Sequence, residues 1–117
     1  MNMNKEEILS TIQEIADFCK TIERRKKQYD ITLESLTSNS DHADLLLMPL
    51  CQIGESVQSS RDELEEFYPD MPWHQMAGLR NVIVHGYAKV DPEIVMTTVE
   101  RDIPKLLKYC QTVLGEK

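Results

Sequence analysis

Glycine is scarce in this 117-residue chain: four residues in all, too few to build the glycine-rich loops whose backbone amides cradle phosphate groups. Metal-ligand spacings are missing as well. His42, His74 and His85 stand far apart, and neither a His-Glu-x-x-His helix nor a Cys-x-x-Cys pair occurs, so neither a metal nor a cofactor is expected. No Ser or Cys nucleophile carries a local signature with an adjacent His. The three cysteines, Cys19, Cys51 and Cys110, are odd in number and widely separated, and each falls among the apolar positions of a helical pattern. Buried free thiols are predicted rather than a redox or metal role. No apolar run approaches membrane-spanning length, and Asn2, Asn4, Lys5, Glu6 and Glu7 interrupt the stretch where a signal peptide would need an apolar core. A soluble cytoplasmic protein that meets no membrane is expected. Positive charge is in deficit too. The net charge of -7 argues against broad electrostatic capture of nucleic acid, though it leaves room for a small local phosphate site.

What is present is helical period. At 117 residues and 41% hydrophobic content the chain can build one core without staples, so a single domain over residues 1–117 is expected. Ile8, Ile12, Ile15, Cys19 and Ile22 recur at three- and four-residue steps, predicting an amphipathic helix from about Asn4 to Gln28. Near its end lies the only basic run, Arg24, Arg25, Lys26 and Lys27, which either offsets the helix dipole or contacts nucleic acid. Residues 30–40 read as a connection with a brief helical turn. Asp41 is a candidate N-cap for a second long helix reaching about Phe67 through Leu46, Leu47, Leu50, Ile53, Val57 and Leu64, with a kink at Pro49. A third helix starts near Pro72 or Trp73. Asp91-Pro92-Glu93 opens a fourth, running to about Leu114 with a kink at Pro104. No segment alternates as a strand. The fold class predicted is all-α, an antiparallel bundle of four to five helices.

The third helix carries the segment Gly78-Leu79-Arg80-Asn81-Val82-Ile83-Val84-His85-Gly86-Tyr87, which sets four polar groups among aliphatic ones. Asn81 and His85 are four apart and share a helical face. Arg80 and His85 are five apart, and at ~100° per residue they point roughly 140° away from each other. One straight helix cannot easily aim both at one small ligand, so the spacing suggests a site at a helix end or one shared between two chains. An Arg and a His of this kind suit RNA cleavage in which the RNA supplies its own nucleophile. The His moves the 2′-hydroxyl or leaving-group proton and the Arg stabilises charge on phosphoryl oxygens. Such cleavage wants an acid and a base, and a symmetric dimer would supply two histidines. The blander reading of the same residues also stands: His85 complements a helix C-terminus, Arg80 pairs with a carboxylate of the second helix, and Asn81 bonds backbone across a helix contact.

Arg80, four residues, His85, one residue, Tyr87, with Asn81 after the Arg, resembles the signature of the HepT toxins of the HEPN superfamily. Gln52-Ile53-Gly54-Glu55 resembles that family's Ile-Gly-Glu element, Tyr68-Pro69-Asp70-Met71-Pro72-Trp73 its Pro-to-Trp approach, and Asp102-Ile103-Pro104-Lys105-Leu106 its late Pro-x-Leu. The resemblance covers roughly residues 45–107. It implies an all-α homodimer whose Arg and His line a cleft and act as a metal-independent endoribonuclease on transfer or messenger RNA. It also implies a partner, an MntA-like minimal nucleotidyltransferase antitoxin that adenylylates the motif tyrosine. On this resemblance Arg80 and His85 are catalytic, Asn81 orients the phosphate or the His, and Tyr87 is the modification target. Glu55 either aims Arg80 or satisfies the bundle interior, and Trp73 either joins the core or stacks on a base. Pro49 departs from the pattern, standing where an ordinary helix former is expected. The acidic balance is a second departure, and the alternative implied is a non-catalytic HEPN protein that binds a nucleotide or a nucleotidyltransferase.

Overall fold

The computed structural model describes residues 4–86 and 90–115, with the side chains of 81–86 outside the description. Helix α1 (Lys5–Gln28) begins where the Asn4 side chain accepts the Glu7 N–H at 2.9 Å, and it ends with Arg25, Lys26 and Lys27 at the negative end of its dipole. Its apolar stripe is fully buried: Ile8, Ile12, Ile15, Cys19 and Ile22 have no exposed surface. The connection after it contains α2 (Leu33–Ser38), opened by a reciprocal cap between Thr32 and Ser35.

Helix α3 (Ser40–Ser59) is capped by Asn39 rather than by Asp41. The two residues are both capping types, but the extended backbone falls at Asn39, whose side chain reaches the N–H groups of Asp41 and His42 at 2.9 and 3.4 Å. Asp41 sits one step inside, in the first turn, where its charge still favours the positive dipole end. The predicted helix from 41 to 67 is also interrupted. Ser60 leaves helical geometry at φ -123° and ψ 20°, and a separate α4 (Arg61–Phe67) restarts from its carbonyl, which accepts the Leu64 N–H at 2.9 Å. Serine side chains compete with the backbone for hydrogen bonds, and Ser59 already turns its hydroxyl back to the Glu55 carbonyl. The offset brings Leu64 fully into the core.

Helix α5 (Trp73–Gly86) starts directly after Pro72. Trp73 belongs to the core, 1% exposed, with its indole N–H donated to the Tyr68 carbonyl at 2.7 Å. Tyr109 meets its ring edge-on at 6.1 Å and donates its hydroxyl to Asp70. The Tyr68-to-Pro72 turn is therefore pinned from both sides, which fixes where α5 begins. Asp91 caps α6 (Pro92–Thr97) as the sequence predicts, accepting the Glu93 N–H at 2.9 Å. The fourth helix is not continuous: a π-helical turn over Thr98–Asp102 separates α6 from α7 (Ile103–Val113). Pro104 has no N–H for the carbonyl four residues earlier and its ring crowds the preceding turn. The wider turn, in which the Ile103 N–H reaches the Thr98 carbonyl, makes room for it.

The result is an all-α bundle with no strand among the described residues. Helix α3 lies between α1 and α5, and α7 packs against α1, with Tyr109 of α7 reaching Trp73 at the start of α5. No described helix is long and apolar enough to cross a membrane. Pro49 leaves the Leu45 carbonyl without its helical donor, and α3 nevertheless continues through it. Arg25 of α1 supplies the missing bond, its Nη1 donating to the Leu45 oxygen at 2.9 Å. One member of the basic run thus holds two helices together.

This packing has measurable consequences for stability. Arg25→Ala should cost about 1–2 kcal/mol in urea unfolding, because it leaves a part-buried carbonyl without a donor. In a Pro49→Ala background, where the substitution restores the helical N–H, that cost should fall by at least half. A second expectation concerns the cysteines, of which Cys19 and Cys110 are buried free thiols whereas Cys51 is only half-buried. Burial pushes Cys110 from an ordinary 9.0 up to about 12, and it pushes Cys19 up as well, with Cys110 and Glu23 adding repulsion. A thiol raised in the folded state contributes its full stability below the unfolded value and loses it as pH rises towards the folded one. Stability should therefore decline from 9.0 upwards to about 12, each such thiol steepening the slope by about 1.4 kcal/mol per pH unit. Urea titrations at stepped pH should show a flatter alkaline limb for Cys19→Ala with Cys110→Ala, on a lower plateau.

Candidate functional site

The seam between α3 and α5 is too close at Gly54 to admit a side chain. A Cβ on that residue would lie 2.8 Å from both the Cβ and the backbone nitrogen of Arg80, so the absence of a side chain lets the two helices nearly touch. Ala77, one turn before Arg80, is also small and is 5% exposed. Arg80 consequently leaves α5 beside the residue that follows Gly54 on α3. The Arg80 Nε donates to Glu55 Oε1 at 2.5 Å, with the two side chains 34% and 46% exposed. A pair this open to water contributes about 1 kcal/mol or less to stability. Its larger effect is on direction, because a guanidinium held through Nε presents a fixed plane.

Of the pairing partners that the sequence leaves open for Arg80 and Glu55, the structure therefore joins these two to each other. Helix α5 is one helix from Trp73 to Gly86, so its backbone carries Arg80, Asn81 and His85, with His85 in the last turn. The side chains of Asn81 and His85 and the whole of Tyr87 lie outside the described residues. The other two histidines are elsewhere. His42 packs its ring 6.5 Å from that of Tyr29, and His74 sets Nδ1 3.2 Å from the Arg61 guanidinium. Among the described residues no three His, Cys, Asp or Glu side chains gather as a metal site.

The part that Gly54 plays is not legible in the sequence alone. The residue belongs to the Gln52–Glu55 element, but its significance depends on α5 lying against it. The available signal was its setting: a glycine inside a helix costs about 0.5–1 kcal/mol relative to alanine, and so asks for a compensating reason.

Comparison with known proteins identifies the family. The profile of the family described as "Ribonuclease HepT-like" matches residues 6–113. The chain is 27% identical over 107 residues to "Putative RNase MJ1380" of Methanocaldococcus jannaschii, covering 92% of this chain and 90% of that protein. It is 27% identical over 95 residues to "Probable ribonuclease HepT" of Thermococcus cleftensis, covering 81% and 84% of the two chains. It is 28% identical over 110 residues to "Putative RNase MJ0125" of Methanocaldococcus jannaschii, covering 94% and 87%. No solved structure matches. The family profile takes in nearly the whole chain, from the first turn of α1 to the last residue of α7, and the chain belongs to the HepT-like ribonuclease family.

Proposed function

We propose that this protein is a metal-independent endoribonuclease that works as a homodimer paired through α5 and its surroundings, in the cytoplasm. The observation that carries the reading is the family match over residues 6–113 together with Arg80 held on Glu55 in the same helix that carries His85. RNA is the substrate and supplies its own nucleophile. One His85 removes the 2′-hydroxyl proton, the 2′ oxygen attacks the adjacent phosphorus, and the 5′ oxygen leaves with a proton from the second His85. The products are a 2′,3′-cyclic phosphate and a 5′-hydroxyl. Arg80 stabilises the charge that grows on the phosphoryl oxygens, with Glu55 fixing its plane and Asn81 orienting the phosphate or the His. Five residues of continuous helix turn Arg80 and His85 roughly 140° apart, which supports a cleft completed by a second protomer.

Within the same proposal the protein is the toxin of a toxin–antitoxin pair, neutralised by a minimal nucleotidyltransferase that adenylylates Tyr87. A nucleotide two residues from His85 adds bulk and negative charge where RNA phosphates must enter, so inhibition follows from repulsion and steric block. The net charge of -7 favours a second reading, a non-catalytic partner that binds a nucleotide or the nucleotidyltransferase.

The deciding experiment incubates wild type, His85→Ala, Arg80→Ala and Glu55→Gln with total and transfer RNA in EDTA, and reads fragments and end groups. Cyclic-phosphate ends are expected from wild type and none from His85→Ala. Arg80→Ala should lose about 100- to 1000-fold in rate, as for loss of a charge-stabilising donor. Glu55→Gln, which keeps a hydrogen-bond acceptor, should lose less. No cleavage by folded, unmodified wild type would favour the non-catalytic reading. With the nucleotidyltransferase and ATP, intact mass should rise by one or more AMP units of about 330 Da on Tyr87, with loss of cleavage. The same mass on Tyr29, Tyr68 or Tyr109 would count against that target.

A further inference from the structure

A glycine inside a helix weakens that helix, and Gly54 lies in the interior of α3. The atoms that a side chain there would strike are the Cβ of Arg80 at 2.8 Å, its backbone N at 2.8 Å and its Cα at 3.2 Å. None of these can swing aside as the tip of a flexible side chain can. Any residue larger than glycine must push α5 away from α3, by something on the order of 1 Å in a packed interior that transmits the strain. Glu55 follows Gly54 directly and stays with α3, whereas Arg80 moves with α5. The displacement therefore falls on the short contact between Arg80 Nε and Glu55 Oε1. We propose that Gly54 is a positioning residue for Arg80, setting the α3–α5 separation at which Glu55 can fix the guanidinium. This rests on the reading of Arg80 as the group that meets the scissile phosphate.

Gly78 supplies the contrast. It lies on α5 two residues before Arg80, and a Cβ there meets nothing within 4 Å among the described residues. Gly78→Ala adds the same methyl group and the same gain in helix propensity without the collision.

The first readout needs no activity: hydrogen exchange of the Arg80 Nε–H, followed by NMR in the full-length protein and assigned by its disappearance in Arg80→Lys. In wild type Glu55 accepts this N–H, which should slow its exchange. Gly54→Ala should speed its exchange about two- to fivefold, the most that a contact of about 1 kcal/mol can protect, whereas Gly78→Ala should leave it unchanged. Unchanged exchange in folded Gly54→Ala overturns the proposal. The second readout is RNA cleavage. Misplacing a charge-stabilising group by about 1 Å can cost on the order of 100-fold, so kcat of Gly54→Ala should fall by about 10- to 100-fold. In an Arg80→Lys background the same substitution should cost less than threefold more, because its target is already altered. A full multiplicative loss there would mean that Gly54 acts through something else, and the proposal fails. Should Gly54→Ala unfold, both readouts are taken in sucrose sufficient to restore the wild-type helix signal. Fast exchange and a low rate in the refolded protein support the inference, and wild-type values overturn it. If wild type cleaves no RNA while the Nε–H responds as described, the ribonuclease reading falls and the positioning of Arg80 by Gly54 stands.

Discussion

The near-contact of α3 and α5 at Gly54 is the constraint on which the candidate site depends. Helices ordinarily keep 8–10 Å between axes because side chains interpose. Where one position has no side chain, the backbone of the partner can enter the gap, and what enters here is the main chain and Cβ of Arg80. A long, flexible side chain is thereby anchored at its root by packing and along its length by Glu55. Both anchors come from adjacent residues of one helix. Direction is thus obtained without burying the charge, which would have carried a large desolvation cost.

The two helix-interior prolines show how the frame around that seam tolerates irregularity. Each removes a backbone donor, and each is accommodated by a different means. At Pro49 the orphaned Leu45 carbonyl receives a guanidinium from another helix. At Pro104 the chain widens into a π-helical turn just before the ring. Pro49 also bears on charge. Arg25 is committed to a structural bond, so the only basic run of the chain contributes fewer cations to any RNA surface than its composition suggests. In a chain of net charge -7, the proposed ribonuclease would then lean on a few fixed cations such as Arg80.

Much of the helical frame could be read from the sequence, because helix starts are local chemistry. Asp91 caps as the sequence predicts, α1 begins within a residue of the expected Asn4, and Pro72 precedes the first residue of α5. The break at Ser60 was hidden because Val57 and Leu64 are seven residues apart, a spacing that one continuous helix would also give. Asn39 and Asp41 carry the same capping chemistry two residues apart, and only the backbone decides between them. Pro104 announced an irregularity but not its form. For the site, Arg80 and His85 stand out as polar residues on an apolar segment, and the pairing of Arg80 with Glu55 is one of two roles the resemblance leaves open for Glu55; the partners are 25 positions apart, so only the packing of α3 on α5 decides it. Cys51 keeps helical period with the core yet turns partly outward, since a periodic pattern marks a stripe wider than the buried part of it.

The Arg25 bond to the Leu45 carbonyl has a consequence for local opening. Helix ends fray more readily than helix middles, and the last turn of α1 would ordinarily loosen alone. Here its loosening withdraws the donor that replaces the missing proline N–H inside α3, at a point between the caps of that helix. The end of one helix and the middle of another therefore share a single opening event, and protection of backbone amides in the first half of α3 is linked to the order of the last turn of α1.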